Sequence, residues 1–189
     1  TVVANESYQQ DDADFSVQIG RINAAGAGAI IMLGQGNAGV TVANNIRSLG
    51  LTKMLMLGSI NELDILLSAG KVLGDQYLVP SPLIQVAADD ISVITDPAAR
   101  AAAEPFVKAM KAKFGKSDNA QASRAWDSIM MMTAAMKKAN STDGTAVRDA
   151  FEKLGHYDGA GASYDFSAEN HIGITKNPYV IASVKDGVL

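Results

Sequence analysis

Residues 29–62 read AIIMLGQGNAGVTVANNIRSLGLTKMLMLGSINE, and this stretch decides the fold. An apolar run over 29–33 predicts a strand. It enters a glycine-rich turn, Gly34-Gln35-Gly36-Asn37, and then a helix whose inward positions are Val40, Val42, Ala43, Ile46 and Leu49. Gly50 ends that helix, a second apolar strand follows over 53–57, and a second polar turn covers Gly58, Ser59, Ile60, Asn61 and Glu62. Strands this apolar are expected to be buried on both faces, as in parallel sheets. Strand, crossover helix and strand make one βαβ unit, which is nearly always right-handed. The two polar turns then fall side by side at the C-terminal edge of the sheet, where open α/β sheets bind ligands.

Outward from this unit, the composition narrows the classes. The chain has 189 residues, 48% hydrophobic and 19% charged, enough for one good core or two small lobes. The net charge of -4 provides no basic stripe to neutralise phosphates, which argues against a nucleic-acid partner. With no cysteine, disulfides, thiolate-bound zinc and a thiol nucleophile are excluded. No apolar run approaches the ~20 residues that span a bilayer as a helix. Thr1-Val2-Val3 reads as a strand already under way, a start that a processed or shortened polypeptide would have.

Before the central unit, residues 1–4 are expected to form a strand and 5–12 a polar loop carrying Tyr8. Asp11, Asp12 and Asp14 offer N-caps to a helix over 15–25 with Phe15, Ile19 and Ile22 on one face. After the unit, a third helix is expected over 61–67, stopped by Ala69-Gly70, and then a strand over 74–79. Pro80-Ser81-Pro82 marks a boundary, because proline holds itself and its predecessor extended. Three helices follow: 96–114 with Pro105 as a kink or break, 120–140 rich in Ala and Met, and 142–154 capped by Ser141, Thr142 or Asp143. In the tail, 163–166 and 178–184 alternate like strands, with a turn at Lys185-Asp186-Gly187.

Several segments in this order resemble a known family. They are Asp14-Phe15-Ser16, Ile22-Asn23-Ala24-Ala25-Gly26, Ile46-Arg47-Ser48-Leu49-Gly50-Leu51, Leu57-Gly58-Ser59, Ser68-Ala69-Gly70, the run from Val107 to Gly115, Ala125-Trp126-Asp127, Val147-Arg148-Asp149-Ala150 and Val184-Lys185-Asp186-Gly187. Together they resemble the C-terminal half of a type I periplasmic solute-binding protein, in the branch serving branched-chain amino acid ABC transporters. The resemblance implies an α/β fold: a parallel sheet with flanking helices as one lobe, a helical part of a second lobe, and a short C-terminal β tail. Residues 1–80 and about 171–189 would form the first lobe, and about 82–170 an incomplete second one. Family members are nearly twice this long. The segment that supplies the first strands of the other lobe, with hydroxyl and backbone groups for a ligand carboxylate, would lie outside these residues. The resemblance further implies a periplasmic, exported, non-catalytic protein without a cofactor. Its partners would be a small-molecule ligand and an ABC transporter permease, and open sheet edges would favour a homodimer.

The candidate ligand-binding residues are Gln35, Gly36, Asn37, Ser59, Ile60, Asn61, Glu62 and Trp126. The first turn sits at a helix N-terminus, whose N–H groups and positive dipole end suit an anionic or polar group; its plain reading is a turn with Asn37 as N-cap. The run GQGNAG has neither the Lys-Ser/Thr of a phosphate loop nor the glycine spacing of a dinucleotide fingerprint. In amino-acid-binding relatives a carboxylate in the second turn holds the ligand ammonium, and the register places Ile60 there. The ligand would then be a carboxylic acid, an amide or an aromatic compound. A slip of two would put Glu62 in its place and restore amino-acid binding; otherwise Glu62 is a first-turn acid offsetting the dipole. Trp126 would wall the cleft or pack in the core. Met130, Met131 and Met132 read as core first and as an interface second. Tyr8 and Tyr164 are further cleft candidates. His156 and His171 read as structural, and no serine sits in a nucleophile elbow. A ligand-sensing regulator domain of the same fold, or a small flavodoxin-like enzyme, are the alternatives.

Overall fold

The structure is a computed structural model that describes every residue except Gln10, Gln35, Ser59, Ile60, Asn61, Glu62 and Thr175. The chain divides into two compact units, Thr1–Ser81 with Ile181–Leu189, and Pro82–Val180.

The first unit is built on α1 (Ser16–Ala24), β1 (Ala29–Met32), α2 (Ala38–Ser48), β2 (Met54–Leu57), α3 (Leu63–Leu73), β3 (Tyr77–Pro82) and β6 (Tyr179–Ala182). The strands form one sheet in the order β1-β2-β3-β6. β1 and β2 are parallel, with Ala29 opposite Met54 and Met32 opposite Leu57, and β2 and β3 are parallel as well. Ile46, Leu55, Leu57, Leu66, Leu73, Tyr77 and Val79 fill the core at 0–1% exposure. Arg47 on α2 donates to the Val72 carbonyl at 3.0 Å and to the Leu73 carbonyl at 2.7 Å, satisfying two acceptors that α3 leaves open at its C-terminus.

Four sequence expectations change here. Residues 1–4 form no strand; Val2 is 85% exposed, and no ladder pairs this segment. β1 is buried on one face only, since Ile31 stands 68% exposed at the outer edge of the sheet. The third helix does not stop at Ala69-Gly70 but runs to Leu73. Gly70 faces the chain after β6 so closely that a β-carbon on it would lie 2.4 Å from Val184 Cβ, so it is a packing glycine and not a terminator. The strand β3 runs through Pro80-Ser81-Pro82 because proline geometry is itself extended.

The second unit holds α4 (Leu83–Val86), α5 (Pro97–Phe114), α6 (Ala120–Ala139), α7 (Gly144–Glu152) and an antiparallel hairpin of β4 (Gly155–Asp158) and β5 (Ser163–Phe166). Asp96, Asn119 and Asp143 cap the three long helices through side-chain oxygens that accept first-turn N–H groups. Pro105 neither breaks nor ends α5. It lies on the exposed side, where the carbonyl it leaves without a donor can meet water. Ile84, Ala87, Ile94, Ala103, Phe106, Val107 and Ala160 make the core of this unit. β4 had no counterpart in the sequence reading, since Gly155-His156-Tyr157-Asp158 has little apolar alternation.

Candidate functional site

At the C-terminal edge of the first unit's sheet, the β1–β2 ladder extends one step past its last strand pair. The Gly58 N–H donates to the Met32 carbonyl at 3.0 Å. A β-carbon on Gly58 would lie 3.7 Å from the Met32 carbonyl oxygen and 4.0 Å from that of Gly34. The ends of β1 and β2 therefore leave the sheet side by side, as two parallel strands in register require. Gly36 adopts a φ of 72°, the left-handed region that favours glycine. Asn37 follows at the start of α2 with helical angles, and its side chain makes no capping hydrogen bond among the described residues. Among the described residues, no side chain caps the first turn of α2 as Asp96, Asn119 and Asp143 cap the helices of the other unit.

Of the candidate ligand residues, Gly36 and Asn37 thus sit at this edge. Gln35, Ser59, Ile60, Asn61 and Glu62 lie outside the described residues, and with them the choice between Ile60 and Glu62. Tyr8 also reaches the edge: its hydroxyl donates to the Leu33 carbonyl at 2.9 Å. Trp126 belongs to the second unit. It is half-buried against that unit's core, with its ring edge-on to Phe106 at 5.9 Å between centroids.

The second unit holds a feature to which the sequence reading gave no role. Asp127 on α6 is 1% exposed and accepts the N–H of Ala160 at 2.6 Å, the N–H of Gly161 at 2.8 Å and the Tyr164 hydroxyl at 3.2 Å. Burial raises its carboxyl above the usual range, while the two amides and Tyr164 pull the other way. The glycine pair around Ala160 was the available signal, because a β-carbon on Gly159 would meet the Asp127 carboxylate at 2.5 Å. Tyr164, a cleft candidate by sequence, spends its hydroxyl on this bond. Met131 is buried, whereas Met130 and Met132 are each 43% exposed. Met132, Met136, Val147, Phe151 and Phe166 line an apolar cavity of about 440 Å³. His156 on the hairpin bonds Asp165 at 2.9 Å and Asp158 at 3.2 Å, and the Asp165 bond raises its pKa. His171 bonds Glu152 at 3.1 Å.

Open α/β sheets with parallel strands such as β1, β2 and β3 bind ligands at the C-terminal edge of the strands. Over residues 1–188 the chain matches the family described as Periplasmic binding protein, and it belongs to that family. Among solved structures it is similar to the leucine binding protein LivK of Thermotoga maritima MSB8, at 22% identity and a TM-score of 0.72, over 95% of this chain and 48% of that one. It is similar to a periplasmic binding protein type 1 of Bordetella pertussis Tohama I, at 26% identity and a TM-score of 0.72, over 96% and 50%. The branched-chain amino acid transporter substrate binding protein LivJ of Streptococcus pneumoniae, solved with isoleucine, is 19% identical with a TM-score of 0.72, over 95% and 48%. The chain spans about half the length of these structures. No curated protein matches it. No helix among the described residues is long and apolar enough to cross a membrane.

Proposed function

We propose that this chain is the ligand-edge half of an exported, periplasmic solute-binding protein that captures a small polar, amino-acid-like or aromatic-acid ligand and delivers it to an ABC transporter permease. The observation that carries this reading is the Gly58–Met32 hydrogen bond, which pairs the ends of β1 and β2 at the edge where α2 begins, with no capping bond from the Asn37 side chain. A ligand carboxylate or carbonyl there would accept from first-turn amides and gain from the helix dipole. The Gln35, Asn61 and Glu62 side chains would add specificity. The named ligands of the relatives, leucine and isoleucine, fit this size and polarity. A self-associated form also fits, since β1 is an outer strand with Ile31 and Leu33 exposed.

The test is thermal unfolding against aliphatic amino acids, amides and aromatic acids. Ligand at 100 times its Kd stabilises by about 2.7 kcal/mol, roughly 5–10 °C for a chain of this size. A shift confined to amines would assign Glu62 to the ammonium; a shift with acids lacking an amine would assign Ile60 to the pocket. No shift with any class, alongside a clean transition, would overturn ligand capture by this chain.

A further inference from the structure

We propose that Tyr8 is a positioning residue that fixes the chain at Leu33 and Gly34, where β1 leaves the sheet for the candidate ligand edge. Its bearing on ligand capture rests on the function proposed above, while the contact itself stands on three observations.

The first is the hydrogen bond from the Tyr8 hydroxyl to the Leu33 carbonyl, at 2.9 Å. Leu33 is 80% exposed and lies one residue past the end of β1, so the bond holds a carbonyl just beyond the strand. The second is steric. A β-carbon on Gly34 would fall 1.7 Å from the Tyr8 hydroxyl oxygen and 3.0 Å from Cζ. The phenol occupies the space of a side chain at position 34. Gly34 is not among the glycines with positive φ, so it is held to glycine by this contact rather than by its backbone angle. Gly36, with its φ of 72°, is glycine for the opposite reason.

The third is the anchoring of Tyr8 itself. Its ring meets Phe15 edge-on at 5.5 Å between centroids, with an interplanar angle of 75°. Phe15 is 2% exposed, and its N–H donates to the Asn45 side chain of α2 at 2.9 Å. The loop that carries Tyr8 is thereby tied both to α2 and to the chain entering α2. A strand end gripped this way presents one geometry to a ligand instead of several, which reduces the ordering that binding would otherwise require. Gly58, bonded to the Met32 carbonyl next door, shares that geometry.

The experiment uses the full 189-residue chain and needs no ligand. Amide hydrogen exchange is followed by NMR at Val40, Thr41 and Gly58, whose N–H groups are bonded to the Asn37 and Met32 carbonyls at this edge, in Tyr8→Phe, Tyr8→Ala, Gly34→Ala and the double variant Tyr8→Ala/Gly34→Ala. Tyr8→Phe keeps the ring and removes only the hydroxyl. It is expected to speed exchange at these amides about tenfold, the factor one hydrogen bond of this class supplies, with α3 and α6 unchanged. Gly34→Ala is expected to displace Tyr8 and do the same, and to add nothing in the Tyr8→Ala background. A general packing role would instead raise exchange throughout the first unit. Wild-type exchange at the three amides in Tyr8→Phe, or independent additive effects of the two sites, would overturn the assignment. If Gly34→Ala fails to fold, Tyr8→Phe decides alone. Failure of ligand capture would show separately, as a wild-type chain that no compound stabilises.

Discussion

The buried carboxylate of Asp127 accepts the backbone N–H of Ala160 at 2.6 Å and thereby fastens helix α6 to the turn of the β4–β5 hairpin. Two amides and one phenol converge on a single side chain at 1% exposure, and a β-carbon at Gly159 or Gly161 would crowd that carboxylate, at 2.5 and 3.2 Å. Asp127→Ala leaves those donors buried without an acceptor. The expected loss is about 2–4 kcal/mol of stability, offset in part by removal of a desolvated charge. Asp127→Asn keeps one acceptor oxygen and is expected to lose less. Urea midpoints of the two variants check the order; a wild-type midpoint in Asp127→Ala would refute the role.

Gly70 and Val184 give a second test. An added methyl at Gly70 would lie 2.4 Å from Val184 Cβ and Cγ2, so Gly70→Ala is expected to destabilise by about 1–3 kcal/mol through overpacking. Val184→Ala opens the space. The double variant should be more stable than the sum of the two single effects predicts, with a coupling visible in a thermal-unfolding cycle. Additive losses would mean that the closing segment does not pack on α3 there.

The hairpin carries a pH dependence with a defined sign. The hydrogen bond to Asp165, aided by Asp158, raises the His156 pKa above the ordinary value of 6.5. A raised folded-state pKa contributes stability that is fully present below 6.5 and is lost as pH rises through the folded value. The imidazole is exposed, so the effect is small. NMR titration of the ring should give a midpoint above 6.5 in the wild type and a lower one in Asp165→Asn. A wild-type midpoint at or below 6.5 would contradict the contact.

Self-association through β1 is expected to respond to charge on its open edge. Ile31 is 68% exposed, so Ile31→Lys should leave the unfolding midpoint nearly unchanged while lowering the sedimentation-derived mass of any dimer. A wild-type chain that sediments as a monomer at all concentrations would remove the proposal.

Much of the fold was legible in residues 29–62. The apolar runs gave β1 and β2, the 3.6-residue period gave α2, and Gly50 with its φ of 68° ended that helix as a C-terminal glycine does. Local chemistry also gave the helix start at Asp96-Pro97, three cap candidates of which Asp143 is the one used, and the turn at Lys185-Asp186-Gly187, where Asp186 and Gly187 both take positive φ. Errors arose where one residue type serves two purposes. Gly70 read as a helix stop although it is a packing contact, and Pro80-Ser81-Pro82 read as a strand end although proline suits an extended strand. The apolar pattern of β1 suggested two buried faces because hydropathy cannot tell an inner strand from an outer one.

Sequence alone determined the central unit of β1, α2 and β2 and the three long helices of the second unit, because these depend on periodicity and on neighbours within a few residues. Tertiary structure alone decided what touches across long separations. Tyr8 lies 25 residues before the carbonyl it holds, and Asp127 lies 33 before the amide it accepts. No spacing rule links such pairs. They exist because a buried or edge-exposed polar group must find a partner wherever the packed chain brings one within hydrogen-bond reach.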